Sequence, residues 1–126
     1  MTLPVRIQRT RAKGFNLQAA SLAVNGLPAR YVGRGTLWGN PYIVGSLDPR
    51  HGHITQEMAV SLYGQTLDLL AMEHGMTTEQ FLAPLRGYNL ACFCGLDERC
   101  HADTILERLY RKAIAYQFKM ELHNSA

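Results

Sequence analysis

The thirteen residues Asn89-Leu90-Ala91-Cys92-Phe93-Cys94-Gly95-Leu96-Asp97-Glu98-Arg99-Cys100-His101 contain all three cysteines of the chain, with a histidine directly after the last. Thiols and an imidazole at this spacing offer two chemistries. Cys92, Cys94, Cys100 and His101 are four donors of the kind that Zn²⁺ takes, although Cys-x-Cys-x5-Cys-His is not the spacing of a two-knuckle site. Cys100, between Arg99 and His101 at a helix start, is also a thiol whose anion would be stabilised. It could act as a nucleophile with His101 as its base, and Asp97 in the loop is the nearest general base for a hydrolysis. Plainer roles exist for the same residues: Cys92 as a small buried hydrophobe, and His101 with the first-turn N–H groups as an anion site.

A second constellation is Gly33-Arg34-Gly35-Thr36-Leu37-Trp38-Gly39-Asn40-Pro41-Tyr42. Gly33, Gly35 and Gly39 would let backbone N–H groups come close to a phosphate, and Arg34 could add a bidentate contact. Asn40 could read a sugar hydroxyl or a base edge, while Trp38 and Tyr42 offer faces for stacking. No Gly-Lys-Ser/Thr follows, and the segment is not a dinucleotide fingerprint. The alternative is a tight surface turn with Trp38 filling the core.

These residues need elements to position them. Val5-Arg6-Ile7-Gln8-Arg9 alternates with period two and predicts a half-buried strand. Residues 10–18 break the pattern as a loop, Tyr31-Val32-Gly33-Arg34 predicts a second strand, and Tyr42-Ile43-Val44 a further short one. Thr55 is placed to cap a helix over 56–73, with Met58, Leu62, Leu69 and Met72 on its apolar stripe. Thr77 and Gln80 resemble a capping box for a short helix over 78–86, which Pro84 must distort. Residues 89–94 are apolar on both faces and predict a central strand. A last helix over 102–117 would bury Ile105, Leu106, Leu109, Ala113 and Ile114, and the tail from Glu121 should fray. Strands alternating with helices imply an α/β class and a small Rossmann-like sheet. In such a sheet, ligands bind beyond the carboxyl ends of the strands.

At 126 residues the chain is long enough for one domain with a core of its own. No run approaches the roughly 18 apolar residues of a membrane span, so no membrane partner is expected. The first residues lack an apolar h-region and a cleavage site. With an odd number of cysteines, reduced thiols and a cytoplasmic location follow. The net charge of +3 is unevenly spread. Arg6, Arg9, Arg11, Lys13, Arg30 and Arg34 all precede the first carboxylate, Asp48. That asymmetry favours an anionic partner, either a phosphorylated small molecule or a nucleic acid.

Tyr31-Val32-Gly33-Arg34, Trp38-Gly39-Asn40-Pro41-Tyr42, Leu85-Arg86-Gly87, Leu90 to Cys94 and Cys100-His101-Ala102-Asp103 together resemble the DUF4326 family of small α/β proteins of bacteria and phages. The resemblance runs from Val5 to about Leu109. The Cys-His segment is also similar to that of a second uncharacterised α/β family, DUF488. Both resemblances imply a Rossmann-like arrangement, and neither implies a reaction.

The leading expectation is a site for a nucleotide or related phosphorylated molecule, formed by Arg6, Arg9, Arg11, Gly33, Arg34, Gly35, Trp38, Gly39, Asn40, Cys94 and His101. Such a site would capture its ligand as a signal sponge, or hydrolyse or transfer a group of it. A nucleic-acid-binding module using the basic first third is the second expectation. A small zinc protein is the third; apart from Zn²⁺ on these donors, no cofactor is expected. A homo-oligomer sharing the site between subunits is also expected, because a small domain has little room for a deep pocket.

Overall fold

In the computed structural model, which describes residues 2–124, the elements run β1 (Arg6–Gln8), α1 (Leu17–Asn25), β2 (Ala29–Tyr31), β3 (Leu47–Asp48), β4 (Gly52–His53), α2 (Gln56–Glu73), α3 (Thr78–Leu82), β5 (Asn89–Cys92) and α4 (His101–Asn124), with a 3₁₀ turn at Ala83–Leu85 before β5. Three strands form a parallel sheet in the order β1-β5-β2. Its central strand is the apolar one: all four residues of β5 are buried, as a strand covered on both faces requires. The small helix-flanked α/β sheet predicted from the sequence is therefore present. Among the described residues, no helix is long and apolar enough to cross a membrane.

The core joins the sheet to α2, α3 and α4 through Leu90, Val32, Tyr63, Leu67, Leu82 and Ile105, all fully buried. Among the described residues, Ser21, Asn89 and His101 are the buried polar ones, and Asn89 links the most elements. Asn89 begins β5, and its Oδ1 accepts from the Val5 N–H and Asn25 Nδ2, both at 2.9 Å. Its Nδ2 donates to Ser21 Oγ and Asn25 Oδ1, both at 2.8 Å. This amide ties the start of the central strand to α1 and to the segment before β1.

Several expectations shift. The loop after β1 ends at Asn16, whose side chain accepts from the Ala19 N–H and caps α1. Helix α1 escapes a periodicity reading because it lies on the surface, with Leu22 and Val24 exposed and only Ser21 fully buried. Strand β2 ends at Tyr31, two residues after its start, as the chain turns into the glycine segment. Tyr42-Ile43-Val44 is not a strand; Ile43 and Val44 border a cleft, and the antiparallel pair nearby is β3 with β4.

Helix α2 has the predicted bounds and Thr55 cap, yet it buries Ala59, Tyr63, Leu67 and Ala71 while Leu69 and Met72 face solvent. The i, i+4 row with alanines at both ends gives the flatter packing face. The capping box of Thr77 and Gln80 forms, and Pro84 sits in the 3₁₀ turn that ends this helical stretch. Helix α4 runs past 117 to Asn124, so the part of the tail that is described is helical; residues 125–126 lie outside the described residues. It bends at Tyr110 (φ −123°), and beyond the bend Ile114 leaves the core.

Candidate functional site

The three parallel strands end at one edge of the sheet. The segments that follow them therefore meet there. Residues after β1 bring Arg9 and Arg11, those after β2 bring Arg34 and Gly35, and those after β5 bring Phe93 and Cys94. Between them and α2 lies a cleft of about 670 Å³. Of the residues singled out in the sequence, Arg11, Arg34, Gly35, Asn40, Cys94 and His101 line it, and so does Cys92. Arg34 and His101, distant in the chain, thus share one hollow built by a single chain.

The thiols gather at the floor of this cleft. Cys92 and Cys94 are two residues apart at the strand end and point to one side, with their sulfurs 3.7 Å apart. Cys100 returns beneath them at the start of α4, and all three sulfurs lie within 4.8 Å of one another. His101 stands beside this group. Its Nε2–H donates to the Val32 carbonyl at 2.7 Å, which leaves Nδ1 as the acceptor, 3.7 Å from Cys100 Sγ. Edge-on contact with Tyr63, at 5.0 Å between ring centroids, fixes the imidazole further.

The low thiol is not the one expected. Cys100 is fully buried, and its hydrogen bond to Cys92, together with burial, pushes its pKa up. The same bond, with Cys100 S–H donating, pulls Cys92 down to about 5. Burial raises Cys94. A helix start does favour a thiolate, but the neighbouring thiols and burial oppose one at Cys100. Cys100 also does not line the cleft, so a nucleophile there would have no access to it. Asp97 is exposed on the outer turn with its Oδ1 packed over Gly95, and it is not part of the cleft wall.

The basic residues divide. Arg6 turns inward and gathers the turn after β5: Nη1 donates to the Gly95 carbonyl at 3.0 Å and Nη2 to that of Glu98 at 2.6 Å. Its Nε pairs with Asp103 at 3.1 Å. A guanidinium spent in this way has no capacity for a ligand. Arg9 lies over the Tyr31 ring at 4.7 Å and Arg11 over Phe93 at 4.4 Å, both outward of the sheet edge. Tyr31 and Phe93 meet edge to face at 5.8 Å between centroids.

Tyr31, Phe93, Val60 and Gln56 line the cleft although none was marked in the sequence. A position just past a strand end was the signal available for Tyr31 and Phe93. Gln56 Nε2 donates to the Arg99 carbonyl and lies 3.9 Å from Cys94 Sγ. It closes the α2 side of the thiol pocket.

The glycine segment is more structural than its composition suggests. The Gly39 N–H is spent on the Thr36 carbonyl, and a Cβ at Gly39 would stand 2.8 Å from the Gly33 carbonyl oxygen. At Gly33 a Cβ would strike the Tyr31 ring at 2.3–2.6 Å. These two glycines let the loop close on itself. Asn40 donates to the Ala59 carbonyl and accepts from the Tyr42 N–H, which docks the loop on α2. Trp38 packs against the core and donates Nε1–H to the Phe81 carbonyl at 3.3 Å; it is a plug, outside the cleft wall. Tyr42 does line the cleft, with its hydroxyl held by Thr66 at 3.2 Å.

No curated protein and no solved structure matches the chain. Residues 7–111 match a family described only as a domain of unknown function, and over that span, which includes every residue of the cleft wall, the chain belongs to DUF4326.

Proposed function

We propose that the cleft captures a nucleotide-like phosphorylated small molecule, its anionic groups held by Arg11 and Arg34 and its ring by Tyr31, Tyr42 and Phe93. One observation carries this reading. Among the described residues, the cleft wall has two arginines, three aromatic rings and no carboxylate. Two arginines facing a hollow with no opposing carboxylate attract an anionic group, and flat rings beside them suit a base.

Capture is favoured over turnover by the poverty of proton-transfer groups. General acid–base work needs a group free to give or take a proton at the substrate. His101 is the one imidazole of the wall, and its Nε2–H is spent on the Val32 carbonyl. Three free thiols accord with a reducing, cytoplasmic setting.

The test is a thermal-shift screen of the reduced protein against mononucleotides, cyclic dinucleotides and ADP-ribose derivatives, with calorimetry and product analysis on any hit. A ligand at about 100 times its Kd adds about 2.7 kcal/mol, a rise of roughly 8 °C or more for a domain of this size. The hit should be recovered unchanged, and Arg11→Ala with Arg34→Ala should abolish the rise. No shift from any compound on a folded protein would refute the reading, as would a shift that the double variant retains. A cleaved hit would refute capture.

A further inference from the structure

We infer that Cys92, Cys94 and Cys100 bind one divalent zinc-class metal ion as a three-sulfur site, with its remaining coordination position turned toward the cleft. The inference goes beyond the ligand reading and does not depend on it. It differs from the four-donor set suggested by the sequence, because His101 stands outside the constellation of mutually close donor atoms.

The distances come first. Zn–S bonds of about 2.3 Å in a tetrahedron put neighbouring sulfurs about 3.8 Å apart. Cys92 and Cys94 are at 3.7 Å, and the third sulfur completes a triangle with no side over 4.8 Å. None of these contacts is a disulfide, and all three cysteines are free. Three thiols turned on one another are poor hydrogen-bond partners, whereas one soft cation satisfies all of them together.

The scaffold then holds the triangle rigid. Cys92 ends the buried central strand and Cys94 follows two residues on. The return of Cys100 is fixed by Arg6, which collects carbonyls of the intervening turn, and by Asp103, whose Oδ2 accepts from the Cys100 N–H at 3.2 Å. Three thiolates and one M²⁺ leave a net charge of −1. Cys100 directly precedes the first turn of α4, where the helix dipole favours that charge.

The open position follows from what surrounds the sulfurs. Cys100 closes the inner side with no exposure, while Cys92 and Cys94 both form part of the cleft wall. Structural zinc sites are closed by four protein ligands, whereas sites that receive an exogenous ligand keep one position free. His101 keeps its Nε2–H on Val32 and stays beside the metal as a neighbour of the Cys100 sulfur. Water, or an anionic oxygen entering the cleft, takes the fourth place.

The full chain, purified reduced and without chelator, should carry about one zinc by elemental analysis. Stripped protein should take up one equivalent of Co²⁺, giving thiolate-to-cobalt charge transfer and the intense d–d absorption of a tetrahedral site. Azide or inorganic phosphate should then shift the d–d bands. Cys94→Ser, at the partly buried position, should fold and bind Zn²⁺ at least about 100-fold more weakly, since loss of an outer-shell partner alone costs up to that much. Cys92→Ser should do the same, with its fold checked by circular dichroism.

Absence of both zinc and a cobalt spectrum in folded wild type would overturn the site. So would cobalt binding of wild-type strength in Cys94→Ser. Bands that neither anion moves would overturn the open position. The nucleotide screen, run on the same protein with and without metal, keeps the two proposals apart: a shift that survives stripping leaves the ligand reading standing when this one fails.

Discussion

Arg6 Nε donates to Asp103 Oδ1 at 3.1 Å and so joins the first strand to the first turn of the last helix. The Arg6 side chain is 8% exposed and the Asp103 side chain 49%, so the guanidinium is the buried partner. Its other nitrogens reach carbonyls of the turn after the central strand. Arg6→Ala should cost about 2–3 kcal/mol, the scale of losing charge-assisted hydrogen bonds at a buried group. Arg6→Lys should recover little of it, because an ammonium cannot reproduce the fork. A urea midpoint unchanged in Arg6→Ala would mean that the turn is held by other contacts.

Asn89 makes the larger structural prediction. It is fully buried and satisfies two donors and two acceptors. Asn89→Leu would remove the acceptor of the Val5 N–H and break the reciprocal amide pair with Asn25, whose Oδ1 would keep the Leu27 N–H. The expected loss is about 3 kcal/mol or more, the cost of breaking a buried polar network. Asn89→Ala should lose a similar amount. Chemical denaturation that places either variant within 1 kcal/mol of wild type, on the scale of one ordinary hydrogen bond at about 1 kcal/mol, would show the network to be dispensable.

Asp68 gives the pH dependence. The Thr78 hydroxyl donates to it at 2.5 Å and Arg108 at 2.9 Å. First the hydroxyl and then the guanidinium hold its pKa below the ordinary 3.8. A carboxylate lowered in the folded state adds stability that is complete above its unfolded value and is lost as pH falls through the folded one. Between about pH 6 and about pH 3, wild type should therefore lose more of its urea midpoint than Asp68→Asn. Parallel declines in the two proteins would remove Asp68 from the linkage.

What the sequence made legible follows from where each signal resides. The strand of residues 89–92 could be read because burial on both faces leaves no polar position except Asn89. The start of α2 could be read because Thr55 is local cap chemistry, and its end because Gly75, just past it, takes the left-handed φ of 68° that glycine favours. The burial face of α2 could not, since Leu69 and Met72 are as apolar as the residues inside and only the packing partners choose between faces. Helix α1 was hidden for the converse reason: its apolar Leu22 and Val24 face solvent, while the residue it buries fully is the polar Ser21. At the site, the gathering of Arg11, Arg34 and His101 was legible from strand ends. The inward turn of Arg6 was not, because it depends on four carbonyls that no side-chain pattern reveals. Nor was the location of the low-pKa thiol, which is decided by the sulfur–sulfur contacts of Cys92 with Cys94 and Cys100.

Trp38 and Arg11 separate the core from the cleft in one experiment. Trp38 packs on the core, and its indole N–H is spent on the Phe81 carbonyl. Trp38→Phe keeps most of the apolar contact and loses that bond, a cost of about 1 kcal/mol, or roughly 4 °C in Tm. The Kd for the nucleotide giving the largest thermal shift should stay within about twofold, under 0.5 kcal/mol. Arg11 is exposed over Phe93 and contributes only a surface cation–π contact to the fold. Arg11→Ala should leave Tm within a few degrees, since such contacts are worth about 0.5–1 kcal/mol. It should weaken the same nucleotide by about tenfold or more, the value of one charge-assisted hydrogen bond. Calorimetry on the two variants decides the matter. If Trp38→Phe weakened binding as much as Arg11→Ala, the tryptophan would belong to the ligand's surroundings and the cleft would extend further along the glycine loop than its wall does here.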